Sequence, residues 1–194
     1  MAKIWNKINP LYKLLISAYS VSLFSEWVLL PIYAVFVQKI WWDILDAAWA
    51  MAVFLVMQWI FTIIIHRLNF TKKHRIILMV VGRAIWLFGI WLYLGVSSTW
   101  MLFVTQIFVA LGNSIADPIF DEELADNTDK NNKLMERWIW EWLQDIANGI
   151  AAVIGWLIAS FFGFKSLILF MILTGTISLI IILFYVKKYR SRKI

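Results

Sequence analysis

The sequence predicts an all-α integral membrane protein: one bundle of six transmembrane helices with both termini cytoplasmic. Three observations carry that prediction. Of the 194 residues, 62% are hydrophobic and the mean hydropathy is +0.78, against an apolar share of roughly 45–50% in soluble domains. Six long apolar runs separated by short polar connections run through the chain; at about 20 apolar residues per crossing they nearly exhaust its length. The 18 Lys and Arg are also sorted. When the connections are taken alternately, all but Lys39 and Lys165 fall on one side, the positive-inside pattern of an even number of spans.

Each element follows in order. Lys3, Trp5 and Lys7 make the N-terminus an interfacial anchor. The first span is expected at residues 11–38; it is too long for a signal-peptide core and shows no small-residue cleavage site, so it is read as retained. A short link with Trp41 and Trp42 leads to the second span, residues 44–67. Lys72, Lys73 and Arg75 mark the next loop as cytoplasmic, before the third span at residues 74–96. An uncharged Ser97-Ser98-Thr99 turn opens the fourth, residues 100–120. Asp121–Arg137 then reads as the one long polar stretch, with Asp121–Asp129 a solvated loop lacking the spacing of a calcium site. The fifth span covers residues 138–161, a tight Gly163-Phe164-Lys165 turn follows, and the sixth covers residues 166–186 before a basic tail. Pro31 and Pro118 fall in the first and fourth spans, which suits a 3+3 arrangement in which neighbouring helices satisfy the freed carbonyls. Residues 1–194 thus form a single domain.

Polar residues inside these spans are the candidate site. A carboxylate at mid-bilayer costs on the order of 2.5–3.5 kcal/mol on insertion scales, so it needs an interior face, a partner or water. Glu26 lies near the middle of the first span, with Ala18 and Ser22 at four-residue spacing and Ser25 beside them. In the fourth span Gln106, Ala110, Asn113 and Asp117 share one helical face. Glu141, Asp145 and Asn148 form a polar stripe on the fifth, next to Ala147, Ala151, Gly155 and Ala159. Small residues every fourth position permit close helix packing in lipid. Arg83 is the one basic residue well inside a span, about 13 Å along the third from its cytoplasmic end. Asp145 and Asp117 reach a similar depth, and one of them is expected to neutralise it.

Other chemistries are weakly supported. There is no cysteine, which removes disulfides, thiolate metal sites and thiol catalysis. His66 and His74 sit at span ends without a supporting ligand set, so no metal site is expected. No nucleophile–base pair, phosphate loop or nucleotide motif is present; neither a catalytic site nor a cofactor is expected. The net charge of +6 lies at span ends, where it anchors the chain to anionic headgroups rather than marking a nucleic-acid partner.

The residues from Gln106 to Pro118 resemble the fourth-helix motif of the major facilitator superfamily: Gly112 and Pro118 match, while Gln106 stands for its Arg and Val109-Ala110 for its Gln-Gly. Leu124-Ala125-Asp126 and Glu136-Arg137 resemble the family's link between helices 4 and 5, and Gly155 to Lys165 its helix 5 end and following turn. Arg67 with Lys72-Lys73 is similar to the gating signature after helix 2, although Thr62 and His66 replace its Gly and Asp. Ala151-Ala152 replaces the Gly-Pro of the antiporter motif. The resemblance spans one of the family's two six-helix halves. It implies that helices 1 and 4 line a central cavity and that helices 2 and 5 face the other half.

These readings converge on a half-size secondary transporter of the inner, cytoplasmic membrane. It is expected to move a small solute, coupled to protons or cations, by alternating access in a homodimer or with a complementary six-helix half. Glu26, Gln106, Asn113 and Asp117 are expected to contact solute or ion. Arg83, Glu141, Asp145, Asn148, Arg67 and Asp126 are expected to form buried charge or gating contacts, and Ala147, Ala151, Gly155 and Ala159 a packing or dimer face. The alternative is a non-transporting six-helix scaffold that pairs with another membrane protein.

Overall fold

A computed structural model describes residues 9–41, 44–68, 70–129 and 133–191, all helical apart from turns and short connections. The anchors Lys3, Trp5 and Lys7, the side chains of Trp41, Lys72 and Lys73, and the whole of Trp42 lie outside the described residues. Among the described residues, five helical stretches are long and apolar enough to cross a membrane: Pro10–Lys39, Leu45–His66, His74–Gly95, Thr99–Asn127 and Lys133–Ser191.

The first stretch is two helices, α1 (Pro10–Trp27) and α2 (Tyr33–Trp41), joined by a turn and the 3₁₀ segment Leu30–Ile32. Asn9 caps α1 by accepting from the Leu11 amide at 3.0 Å, and Pro10 occupies a first-turn position where its missing N–H costs nothing. Pro31 explains the break, since its ring clashes with the preceding turn and it has no N–H to donate. Next come α3 (Ile44–His66), α4 (Lys72–Leu92, followed by a 3₁₀ turn at Tyr93–Gly95) and α5 (Thr99–Asn127, capped by the Ser98 side chain).

Where the sequence predicts a fifth and a sixth span, one helical run, α6 (Lys133–Ser191), carries non-helical backbone at Gly163, φ 80° and ψ 169°. The φ is in the region that favours glycine. Contacts along α1 show that the chain reverses there. On the leading arm, residues 133–162, Glu136 meets Tyr12, Trp140 meets Tyr19 and Gly155 meets Val28, so this arm runs parallel to α1. On the returning arm, residues 164–191, Met171 meets Ser25 and Ser178 meets Ser22 and Ala18, so it runs antiparallel.

One expectation is corrected. Asp121–Asp129 is not a solvated loop: α5 continues as helix to Asn127, and α6 starts at Lys133. The polar run is amphipathic. Glu123 turns inward, buried, and accepts from the Tyr185 hydroxyl at 2.5 Å, while Asn127 donates back to the Glu123 carbonyl at 2.8 Å.

The core has two apolar layers. One gathers Val28, Phe36, Trp86, Leu102, Val109 and Leu167; the other gathers Tyr12, Ile16, Met79, Phe120, Ile182 and Tyr185. On α4 the layers are separated by Arg83, on α1 by Glu26, and on α5 by Asn113 and Asp117. A polar level therefore crosses the middle of the bundle.

Candidate functional site

Arg83 is the centre of that polar level, with 2% of its side chain exposed. Its Nη1 donates to Glu26 Oε1 at 3.0 Å and to Asn113 Oδ1 at 3.4 Å; its Nη2 donates to Asp117 Oδ1 at 3.2 Å. The Tyr19 hydroxyl also donates to Asp117. The guanidinium carbon lies 4.6 Å from the Tyr19 ring centroid and 5.4 Å from that of Trp86, within cation–π range. Among the described residues, its Nε has no hydrogen-bond partner.

Close backbone approach makes this reach possible. α4 and α5 cross antiparallel, with Gly82 beside Ala116, Trp86 beside Gly112 and Gly89 beside Val109. A Cβ on Gly112 would lie 2.5 Å from the Trp86 backbone nitrogen, so only glycine fits. This contact rotates the Asn113–Asp117 face of α5 toward Arg83. On the other side, a Cβ on Gly155 would lie 1.9 Å from the Val28 carbonyl oxygen. The broken turn of α1, just beyond Glu26, therefore nests directly against the leading arm of α6.

Beside the charge cluster lies a cavity of about 170 Å³. Glu26, Gln106 and Asn113 supply its polar wall, and Tyr33, Phe54, Trp86 and Tyr93 its aromatic one. Gln106 Nε2 donates to the Tyr33 hydroxyl at 2.5 Å. A larger void of about 390 Å³, lined by His66, Arg75, Pro118 and Glu122 among others, opens between α3 and α5 and shares no residue with the cluster. The smaller cavity is the relevant one, because Glu26 and Asn113, both bonded to Arg83, line it.

Of the expected site residues, Glu26, Arg83, Gln106, Asn113 and Asp117 are brought together. Asp117 accepts from Arg83 but does not line the cavity. Asp145 is corrected as a partner of Arg83: it lies exposed on the leading arm, and both of Arg83's ion pairs go elsewhere. Glu141 is likewise exposed and pairs with Arg137 one turn away at 3.0 Å. Arg67 and Asp126 are exposed at helix ends rather than buried. Asn148 is half-buried, and among the described residues its Oδ1 has no hydrogen-bond partner. The small-residue stripe is used within the bundle: Ala151 and Gly155 are buried and Ala159 packs on the same apolar layer, with Ala147 half-buried. Ala151 and Gly155 are therefore taken up by packing inside the bundle, while Ala147 and Ala159 remain partly uncovered.

Sequence reasoning missed Tyr19, Tyr33 and Trp86. The first two stand seven residues before and after Glu26, and Trp86 three after Arg83. That helical spacing was a usable signal. Ser22 and Ser25, expected to extend the polar face of Glu26, instead bond the returning arm.

A model of the Major Facilitator Superfamily matches residues 15–194. No curated protein matches the sequence.

Proposed function

The chain belongs to the Major Facilitator Superfamily, whose members are transporters rather than enzymes, and from that premise we propose that it forms one wall of the solute pathway of a secondary transporter in the cytoplasmic or inner cell membrane. The observation that carries the proposal is charge. One guanidinium meets two carboxylates from two different helices, Glu26 and Asp117. With all three ionised the level holds one surplus negative charge, which a bilayer interior does not tolerate alone. A proton or a bound cation neutralises it, and its arrival or departure changes which carboxylate Arg83 holds. Glu26 is the coupling carboxylate in this reading because it also lines the cavity, where Gln106 and Asn113 bind solute.

The two arms of α6 are each long enough to cross, giving six crossings with both ends on the cytoplasmic side. The interrupted stretch at Val28–Ile32 is the bending point for alternating access. A second six-helix body, a second copy of this chain or a complementary half, supplies the facing wall. The support is exposure: Glu26 and Asp117 are 25% and 35% exposed, and Asp145 and Glu141 stand on the outer face of the leading arm. Carboxylates so placed favour water or protein over lipid. A two-fold axis along the membrane normal generates the parallel arrangement such transporters use. Arg67 and Asp126, at the basic end, are then gating contacts.

Proteoliposomes test the coupling. A pH gradient is expected to drive uptake of one or more members of a panel of small organic cations, and Glu26→Gln to abolish the gradient dependence. Gradient-driven uptake that persists unchanged in Glu26→Gln removes that residue from coupling. The chain has no cysteine, so Asp145→Cys alone reports proximity between copies. A disulfide-linked dimer is expected in liposomes from Asp145→Cys but not from Leu173→Cys, which is exposed on the returning arm. Equal linking from both sites, or none from either, defeats the homodimer.

A further inference from the structure

At the end of the bundle remote from the Leu102–Leu167 apolar layer, a groove of about 430 Å³ runs between α4 and the returning arm of α6. Ile77 and Val80 of α4 form one wall, Leu183 and Val186 the other, and Lys187 and Arg190 complete its lining. On the returning arm those four residues fall at i, i+3, i+4 and i+7, which is a single helical stripe. Over a rise of about 10 Å it changes from apolar to cationic. Both cations are exposed, and among the described residues neither is in an ion pair. Lys188 belongs to a different face and does not line the groove.

We infer that this groove binds an anionic glycerophospholipid. Its phosphate group sits between Lys187 and Arg190, and the first acyl carbons lie along Ile77, Val80, Leu183 and Val186. The argument is complementarity in two parts. Two unneutralised cations attract a net negative headgroup, whereas a zwitterionic one offers no net charge to match them. The apolar walls continue the stripe toward the membrane interior, where an acyl chain rather than a soluble anion fits. Because α4 also carries Arg83, an occupied groove braces the helix that holds the charge cluster.

The test uses the full chain in phosphatidylcholine nanodiscs with graded phosphatidylglycerol, with retained lipid counted by native mass spectrometry. Phosphatidylglycerol is expected to be retained over phosphatidylcholine. Lys187→Gln and Arg190→Gln are each expected to weaken that retention about fivefold, while Lys188→Gln, with the same charge change, weakens it less than about twofold. Val80→Phe fills the groove without altering charge and is also expected to displace the lipid. Equal losses from Lys187→Gln and Lys188→Gln mean diffuse surface attraction and overturn the site. So does equal retention of both lipids, or displacement of phosphatidylglycerol by inorganic phosphate at tens of millimolar, which shows the apolar walls to be irrelevant. The three charge variants decide the matter even if Val80→Phe does not fold.

Discussion

α3 and α5 are both apolar enough to span a membrane, yet 6% of the α3 core stretch is buried against 56% of that of α5. The more apolar of the two is the one left outside. α3 presents Leu55, Val56, Trp59 and Ile64 outward, while α5 turns Gln106, Asn113, Ser114 and Glu123 inward. In water this order would be inverted. In lipid, an outward leucine loses nothing, because the surroundings are as apolar as a core, and packing is driven by close contact and polar pairing instead. Buried polarity thus marks the helix that matters for the site, and outward hydrophobicity marks the helix that lipid or a second membrane body covers.

Substitutions can break or sharpen that contrast. The largest effect is expected from Arg83→Ala, which leaves Glu26 and Asp117 facing each other without their cation. A loss of about 3 kcal/mol is anticipated in denaturant unfolding from micelles, at the low end for a buried pair because the carboxylates are partly open. Adding Glu26→Gln and Asp117→Asn to that variant should recover much of it; no recovery would mean that charge is not what the residue contributes. Gly112→Val comes next, at about 1–3 kcal/mol for overpacking against the Trp86 backbone. Gln106→Leu should cost about 1 kcal/mol through loss of its bond to Tyr33. At the bottom, Val56→Ala on the outer face of α3, 53% exposed, should change stability by less than about 0.5 kcal/mol. If Val56→Ala proved as costly as Gly112→Val, the outer face of α3 would be a packed interface in the micelle, and the contrast between the helices would fail.

Much of the architecture was legible from residue order. Apolar runs located the long helical stretches, because hydropathy is a local property of the chain; the first was expected as one span across residues 11–38, and its break at Pro31 appears only in the structure. The same locality misled at the end of α5. Asp121 to Asn127 looks solvent-loving in isolation, and only the inward turn of Glu123 toward Tyr185 makes it a helix end with a buried face. Within the site, every charged member was visible as an ionisable residue inside an apolar run. Their pairing was not. Asp117 and Asp145 were equal candidates for Arg83 by depth, and Glu26 was considered separately.

What separates these cases is rotation about the helix axis. The sequence alone determined that this chain lives in a membrane, that it is built of long apolar helices, and that Glu26, Arg83 and Asp117 needed partners, since burial cost and hydropathy are set residue by residue. Only the tertiary structure decided which partners they found. Gly112 lets α5 approach Trp86 and turns Asp117 inward; Gly155 lets the leading arm close on Val28 and leaves Asp145 outside. A helix's facing depends on which neighbours approach most closely, and that is a property of the packed bundle rather than of any one segment.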